Sequence, residues 1–213
     1  MRTLHRRHLH RRHLHRHTTT FAALTLGLAL ALAGCGGADT SAPSSSGDHN
    51  DADVAFASDM IQHHAQALTM VDLTVERDLD PALQQVAVAI RDAQGPEIET
   101  MSNWLEQWDE EVPPTVRDHS NAEGHDMGDM ADDTGMDMPG MMSDQDLEEL
   151  ADASDADFEG LWLEMMIEHH EGAVSMAQAE QEDGTYDPAV SLAEEIVATQ
   201  TEEIATMQEL LDS

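Results

Sequence analysis

The chain has 213 residues, with 44 acidic side chains against nine basic ones and a formal net charge of −35. A polyanion of this kind repels nucleic acid and anionic membrane surfaces and concentrates cations around itself, which excludes a nucleic-acid-binding protein. The single cysteine excludes a disulfide framework. Aromatic residues make up only 3% of the chain, so a core must rest on Ala, Leu, Ile, Val and Met, which favour helices over strands.

Residues 1–34 have the pattern of a lipoprotein signal peptide. Six arginines form a positive head, and the apolar run from Phe21 to Ala33 is too short to span a bilayer comfortably. Cys35 ends the tetrapeptide Leu32-Ala33-Gly34-Cys35, which looks like a bacterial lipobox; a free structural cysteine is the alternative. We therefore expect an exported protein that is lipidated at Cys35 and anchored to the outer face of the bacterial cytoplasmic membrane. Without its leader the chain keeps three arginines against 44 acidic residues, a formal charge of −41 that solubility alone could also explain.

A flexible tether, residues 35–52, leads into the first predicted helical hairpin, residues 53–112. The tether is rich in Gly, Ser and Pro. Helical periodicity starts near Asp53, and apolar residues share one broad face with two adjacent histidines. Asp80-Pro81 combines an N-cap with a proline at the first helical position and so predicts the start of a second helix. Gly95-Pro96 should kink that helix or loosen one of its turns.

Residues 113–142 have no helical period and form a long linker rich in Asp, Gly and Met. Six methionines fall within sixteen residues, which core packing does not explain. Thioethers on a flexible chain could wrap a Cu(I) ion, whereas a low-complexity linker that uses methionine as an oxidation sink is the alternative. The candidate ligands in this linker are His125, Met127, Met130, Met136, Met138, Met141 and Met142.

Residues 143–213 should form a short helix followed by a second hairpin. Ser143-Asp144-Gln145-Asp146 resembles a capping box and opens the short helix, which ends near Ala153. A long helix should then run from about Asp155 to Asp183. Gly184 stops this helix, and Asp187-Pro188 should start the last one in the same way as Asp80-Pro81.

The second hairpin repeats the first at a fixed offset of 106 residues. The stretch Met165–Met176 contains His169-His170, and its earlier copy, Asp59–Met70, contains His63-His64. Neither hairpin could bury its apolar face alone, so the sequence predicts an all-α fold in which two tandem hairpins form an antiparallel four-helix bundle with a long Met-rich crossover. A coiled-coil dimer of hairpins is the structural alternative.

Counting outward from each hairpin turn places matching polar residues at one level of the bundle, because a helix rises 1.5 Å per residue. Burying imidazoles, carboxylates and amides costs several kcal/mol for each group that lacks a partner, and a metal ion could partner all of them together. Imidazole suits copper, zinc, nickel and iron, whereas a thioether suits Cu(I). Hydrogen-bonded core residues are the alternative, and the glutamates could be ligands or acceptors that fix the histidine tautomers. The candidate metal ligands are His63, His64, His169, His170, Met60, Met166, Glu97, Glu203, Gln94 and Gln200.

The two copies, Asp59-Met60-Ile61-Gln62-His63-His64 and Met165–Ala173, resemble the CopM-like family, whose domain is called domain of unknown function 305. The resemblance covers about residues 53–108 and 143–212. It implies a ferritin-like four-helix bundle that binds copper through Met and His, is often exported and is linked to copper tolerance. The first copy departs from the family pattern at Gln62 and at Ala65-Gln66, where the second copy has Glu171-Gly172.

Three other functions fit parts of the sequence. A ferritin-like di-iron enzyme would need Glu-x-x-His on its helices, and the candidate helices have none. A haem-binding bundle would have to hold its haem non-covalently, because the chain has no Cys-x-x-Cys-His. An acidic surface scaffold without metal would leave the polar layers unexplained. We expect a copper-binding protein that sequesters the ion, for tolerance or homeostasis, rather than an enzyme.

Overall fold

Five helices make up the part of the chain that the computed structural model describes, residues 48–75, 77–115 and 138–213, and these ranges contain no strand. The all-α class is therefore confirmed. The helices are α1 (Asp51–Asp72), α2 (Pro81–Trp108), the short α3 (Asp144–Asp152), α4 (Asp155–Asp183) and α5 (Asp187–Leu211). The predicted signal peptide, most of the tether and residues 116–137 of the predicted linker lie outside the described residues.

The helix ends follow the local sequence signals with one exception. Ser143 and Asp146 form the predicted capping box at the start of α3, and Gly184 lies at the predicted end of α4. α2 runs unbroken through Pro96, although this proline cannot donate a backbone hydrogen bond. The prediction that Asp187 caps α5 is wrong, because Asp187 is the first helical residue and Tyr186 is the N-cap.

The long helices pack in pairs that follow the repeat. α1 packs on α2 and α4 packs on α5, as expected for two hairpins. The hairpins join where α1 packs on α4 and α2 packs on α5, while the short α3 packs on α4. Each long helix thus contacts two other long helices.

A buried polar layer separates two apolar core clusters. In α1, Phe56 and Ile61 belong to one cluster and Met70 and Val71 to the other, with two buried histidines between them. The other three long helices have the same order, with an apolar group, a buried polar group and a second apolar group along each. The polar layer therefore crosses the middle of all four long helices.

Each hairpin has one acidic side chain that accepts hydrogen bonds from the backbone at the start of a helix in the other hairpin, and we call each such contact a tie. Asp53 in α1 accepts hydrogen bonds from the backbone N–H of Tyr186 at 3.0 Å and of Thr185 at 3.2 Å, just before α5. Glu159 in α4 accepts one from the backbone N–H of Asp80 at 2.6 Å, just before α2. Asp53 and Glu159, like Asp80 and Tyr186, are 106 residues apart, so the two ties are equivalent.

Glu180, near the end of α4, is a buried acid beside one of these ties. Its side chain is 2% exposed, and neither carboxyl oxygen has a hydrogen-bond partner of good geometry among the described residues. Burial, and then the neighbouring carboxyl of Asp53, raise the pKa of Glu180 to about 8. Glu180 therefore keeps its proton at neutral pH.

Within the described ranges, no helix is both long enough and apolar enough to cross a membrane.

Candidate metal centre

Four histidines lie at the centre of the polar layer. His63 and His64 come from α1, His169 and His170 come from α4, and all four side chains are fully buried. The rings of His63 and His169 meet with centroids 3.8 Å apart and an interplanar angle of 42°. The two histidine pairs therefore face each other across the α1–α4 contact, as the repeat predicts.

A glutamate holds the second histidine of each pair. Nε2 of His64 donates to Glu97 in α2 at 2.7 Å, and Nε2 of His170 donates to Glu203 in α5 at 2.8 Å. Both glutamates are mostly buried, with 18% and 14% of their side chains exposed. A carboxylate that accepts from one imidazole nitrogen fixes the ring and leaves the other nitrogen for a metal ion. Glu97 and Glu203 are thus hydrogen-bond acceptors for the histidines. The sequence had left open whether they would be acceptors or metal ligands.

The two histidines that touch each other are electrically neutral at neutral pH. Burial, reinforced by the electrostatic effect of the neighbouring His64, lowers the pKa of His63 to about 3. Burial, reinforced by His63, holds the pKa of His169 well below its usual range. Neutral imidazole is the form that binds metal ions.

The layer contains an unusual number of buried polar atoms that lack hydrogen bonds. Folded proteins leave few such atoms, because each costs about 1–3 kcal/mol. Among the described residues, the unpartnered atoms of the layer are Nδ1 of His63, His64 and His170, both ring nitrogens of His169, and both amide atoms of Gln94 and of Gln200. A donor set of imidazole nitrogens and amide oxygens fits a transition-metal ion, which would satisfy several of these atoms together.

In the described ranges, no three His, Cys, Asp or Glu side chains are grouped so that they alone could hold a metal ion. Thioethers and amides can complete a site that the imidazoles begin. Met60 and Met166 are fully buried and lie three residues before His63 and His169, which puts each on its histidine's face of the helix. Both also belong to the apolar clusters, as do Met70, Met101 and Met207, and Met176 packs against one of these clusters.

The end of the predicted linker lies against this layer. Residues Met138–Met141 form a turn in which the N–H of Met141 donates to the carbonyl of Met138 at 3.3 Å. Gly140 has φ +76°, and proline followed by such a glycine is typical of a type II turn. Nε2 of His63 donates to the carbonyl of Pro139 at 3.1 Å.

Two residues at the same repeat position receive this turn. Gln66 in α1 bonds the backbone of Met142 twice: its Nε2 donates to the carbonyl at 2.9 Å, and its Oε1 accepts from the N–H at 2.7 Å. Gly172, its counterpart in α4, leaves room for the turn, since a Cβ there would overlap the Pro139 carbonyl. Sequence reasoning missed both contacts. The available signal was a glycine in the middle of a helix, which costs about 1 kcal/mol relative to alanine and so needs a packing reason.

The structure places the remaining linker candidates in different surroundings. Met138 and Met141 are partly exposed at the two ends of the turn. Met142 is 8% exposed and belongs to an apolar core cluster, where it packs as core residues do. His125, Met127, Met130, Met136 and Cys35 lie outside the described residues.

Comparison with known families gives one match that spans most of the described chain. The family model described as "Domain of unknown function (DUF305)" matches residues 53–211. No curated protein sequence matches the chain significantly.

Solved structures with the same fold come from DUF305 proteins and from CopM. A DUF305 fragment from Deinococcus radiodurans is 28% identical with a TM-score of 0.62, and the match covers 76% of this chain and 97% of that one. A Streptomyces coelicolor DUF305 protein that is described as secreted is 30% identical with a TM-score of 0.62, with 76% and 91% covered. CopM in its Cu(II)-bound form is 26% identical with a TM-score of 0.59, with 75% and 95% covered. CopM has also been solved in Cu(I)-bound, Ag-bound and apo forms.

Proposed function

This chain belongs to the DUF305 family, and we propose that it is an exported, lipid-anchored protein that binds and sequesters copper and does not turn over a substrate. The observation that carries the proposal is the buried layer that contains four imidazoles, two of them in ring contact across the hairpins, each with a ring nitrogen that lacks a well-formed hydrogen bond. Similarity to CopM, which binds Cu(I), Cu(II) and Ag, supports copper as the cargo.

The proposal includes a ferritin-like antiparallel four-helix bundle as the scaffold. Its support is the cyclic order in which α1 packs on α2, α2 on α5, α5 on α4 and α4 on α1. Each helix of such a bundle projects side chains into a shared centre. A metal ion bound in that centre contacts both hairpins and holds them together.

Each residue of the layer has a distinct role in holding copper. His64 and His170 bind through Nδ1, because Glu97 and Glu203 occupy their Nε2 atoms. His63 and His169 add two more imidazole nitrogens from the facing rings. The thioethers of Met60 and Met166 favour Cu(I), and the amide oxygens of Gln94 and Gln200 complete the layer when the ion is oxidised. Zinc or nickel could occupy the imidazoles, but neither gains from the thioethers.

Charge and location are consistent with this role. The acidic surface concentrates cations around the domain and speeds their capture. The leader with its lipobox would place the protein outside the cytoplasm, and a secreted relative supports export. Met138 and Met141 would supply further soft ligands at the edge of the layer. His125, Met127, Met130 and Met136, which lie outside the described residues, are proposed as additional ligands.

The test is copper binding by the purified protein and by a His63→Ala/His64→Ala/His169→Ala/His170→Ala variant. Metal analysis and Cu(I) competition titration should show copper bound by the wild type and a loss of at least tenfold in affinity in the variant. His49→Ala is the matched control, because His49 stacks on Trp108, outside the layer. Variants that remove one pair at a time, compared at equal helix content by circular dichroism, separate loss of ligands from loss of fold.

Unchanged copper stoichiometry and affinity in the fourfold variant would sink the proposal. Protein that is purified with two irons, and that loses them on Glu97→Ala and Glu203→Ala substitution, would favour the di-iron alternative. A Soret absorption band that depends on the same histidines would favour haem. A wild-type chain that binds no metal would favour the alternative of an acidic surface scaffold.

A further inference from the structure

Three of the four buried histidines are held at Nε2 by an acceptor from another part of the chain. Glu97 and Glu203 hold His64 and His170, and the backbone carbonyl of Pro139 holds His63. A carbonyl oxygen can only accept, so His63 carries its proton on Nε2 and presents a lone pair on Nδ1. Neither ring nitrogen of His169 makes a hydrogen bond of good geometry among the described residues, although the backbone of His63 lies close to its ring.

The Pro139 carbonyl is held in place by contacts from both hairpins. The type II turn fixes its direction, because proline sets φ at the second position and Gly140 adopts the positive φ required at the third. Gln66 clamps the residue after the turn through two hydrogen bonds that are both buried. Gly172 and the adjacent α4 backbone contact the turn closely from the other side.

We propose that Gln66 and Gly172 act as positioning residues for the metal centre: they hold the Pro139 carbonyl against His63, and this contact sets the tautomer and orientation of that ligand. The inference rests on the proposed copper function. Gln66, Gly172 and Pro139 touch no ion in this arrangement. They act through His63, as the glutamates act through His64 and His170.

The arrangement makes the predicted linker part of the site. A buried imidazole whose Nε2 loses its acceptor is free to exchange its proton between the two nitrogens and to turn in its pocket. Loss of such an outer partner typically weakens metal binding about 10–100-fold. The end of the Met-rich segment therefore sets the orientation and tautomer of His63 through one backbone oxygen. This effect is independent of any ligand that the segment supplies.

The test is Gln66→Ala, which removes both hydrogen bonds to Met142 and substitutes none of the proposed ligands. In the copper-free protein, ¹⁵N nuclear magnetic resonance of the imidazoles should show His63 protonated at Nε2 in the wild type and partly at Nδ1 in the variant. Cu(I) competition should show affinity reduced about 10–100-fold at unchanged stoichiometry. Gln85→Ala is the matched control, since exposed Gln85 bonds only within its own helix, to Pro81, and it should alter neither readout.

Gly140→Ala disturbs the same turn from the α4 side, where an added Cβ would meet the carbonyl of Glu168. It should reproduce both effects and so keeps the proposal testable if Gln66→Ala folds poorly. Unchanged affinity in both variants overturns the inference. Weakened binding with the His63 tautomer unchanged also overturns it, because the contacts would then be merely structural.

Failure of the copper proposal has a different signature. A wild-type chain that binds no copper removes the proposed function and the effect on affinity with it. The tautomer of His63 in the copper-free protein would still report whether Gln66 holds the turn.

Discussion

At the centre of each hairpin a glutamate accepts a hydrogen bond from the second histidine of a pair, Glu97 from His64 at 2.7 Å and Glu203 from His170 at 2.8 Å. One residue away, the hairpins differ. His63 donates to the turn at Pro139, whereas its counterpart His169 makes no hydrogen bond of good geometry among the described residues. Two equal hairpins can build a symmetric layer. The turn occurs only once along the chain, so the surfaces that the two hairpins present to it differ.

The unequal faces are made by a single repeat position. The side chain of Gln66 binds the backbone of Met142, whereas Gly172 has no side chain and so leaves room for the turn. At this position the copies diverge where they contact the inserted turn, while the glutamates and glutamines of the layer stay matched. Three sets of substitutions test this comparison of the two hairpins.

Gly172→Ala should destabilise the protein most, because its Cβ would overlap the Pro139 carbonyl and expel the turn. Overpacking of this kind costs about 1–3 kcal/mol in free energy of unfolding. The control is Gly160→Ala in the same helix, where a Cβ meets nothing within 4 Å, so stability should rise by up to about 1 kcal/mol. Urea unfolding measures both, and equal stability of the two variants would contradict the close packing of the turn.

Glu97→Ala and Glu203→Ala should have equal effects if the layer is symmetric. Each leaves Nε2 of a buried histidine without an acceptor, which costs about 1–2 kcal/mol in free energy of unfolding. Glu99→Ala and Glu202→Ala are the controls, because these neighbours are exposed. Urea unfolding of the four variants measures the costs, and a clear difference between the first two would show that the inserted turn biases the whole layer.

Glu180→Thr should remove the pH dependence that Glu180 gives to the second hairpin. Its counterpart Thr74 donates a hydrogen bond to the carbonyl of Val71, whereas Glu180 is a buried acid whose pKa is raised from 4.5 to about 8. The folded chain holds this proton while the unfolded chain releases it. Glu180 therefore makes stability fall as pH rises from about 4.5 to 8, by at most one proton, or about 1.4 kcal/mol per pH unit.

Urea unfolding at pH 5, 6.5 and 8 checks this slope. The difference between wild type and Glu180→Thr should change across the window, while the exposed neighbour Glu182→Thr should leave the slope as in the wild type. Parallel stability profiles for wild type and Glu180→Thr would mean that Glu180 is ionised in the folded chain.

Most of what could be predicted about the fold and the candidate site followed from the repeat. Because helix rise is constant, counting from each turn placed Gln94 and Gln200 at the level of the histidines, and both are buried there. The same count put Glu97 level with Met60. The side chain of Glu97 nevertheless reaches His64, which lies one helical turn beyond Met60. The contact of Pro139 with His63 spans 76 residues, and no periodicity encodes a contact with a segment that has no second copy.

The reciprocal ties through Asp53 and Glu159 have a consequence for how such a molecule arises. Each tie joins the first helix of one hairpin to the start of the second helix of the other. A single hairpin that carried both ends of the tie would satisfy it only across a twofold axis, in a dimer of identical chains. Joining the two copies in one polypeptide releases them from that symmetry. Only then can one copy keep a glutamine and the other a glycine, and two equivalent histidines acquire different neighbours.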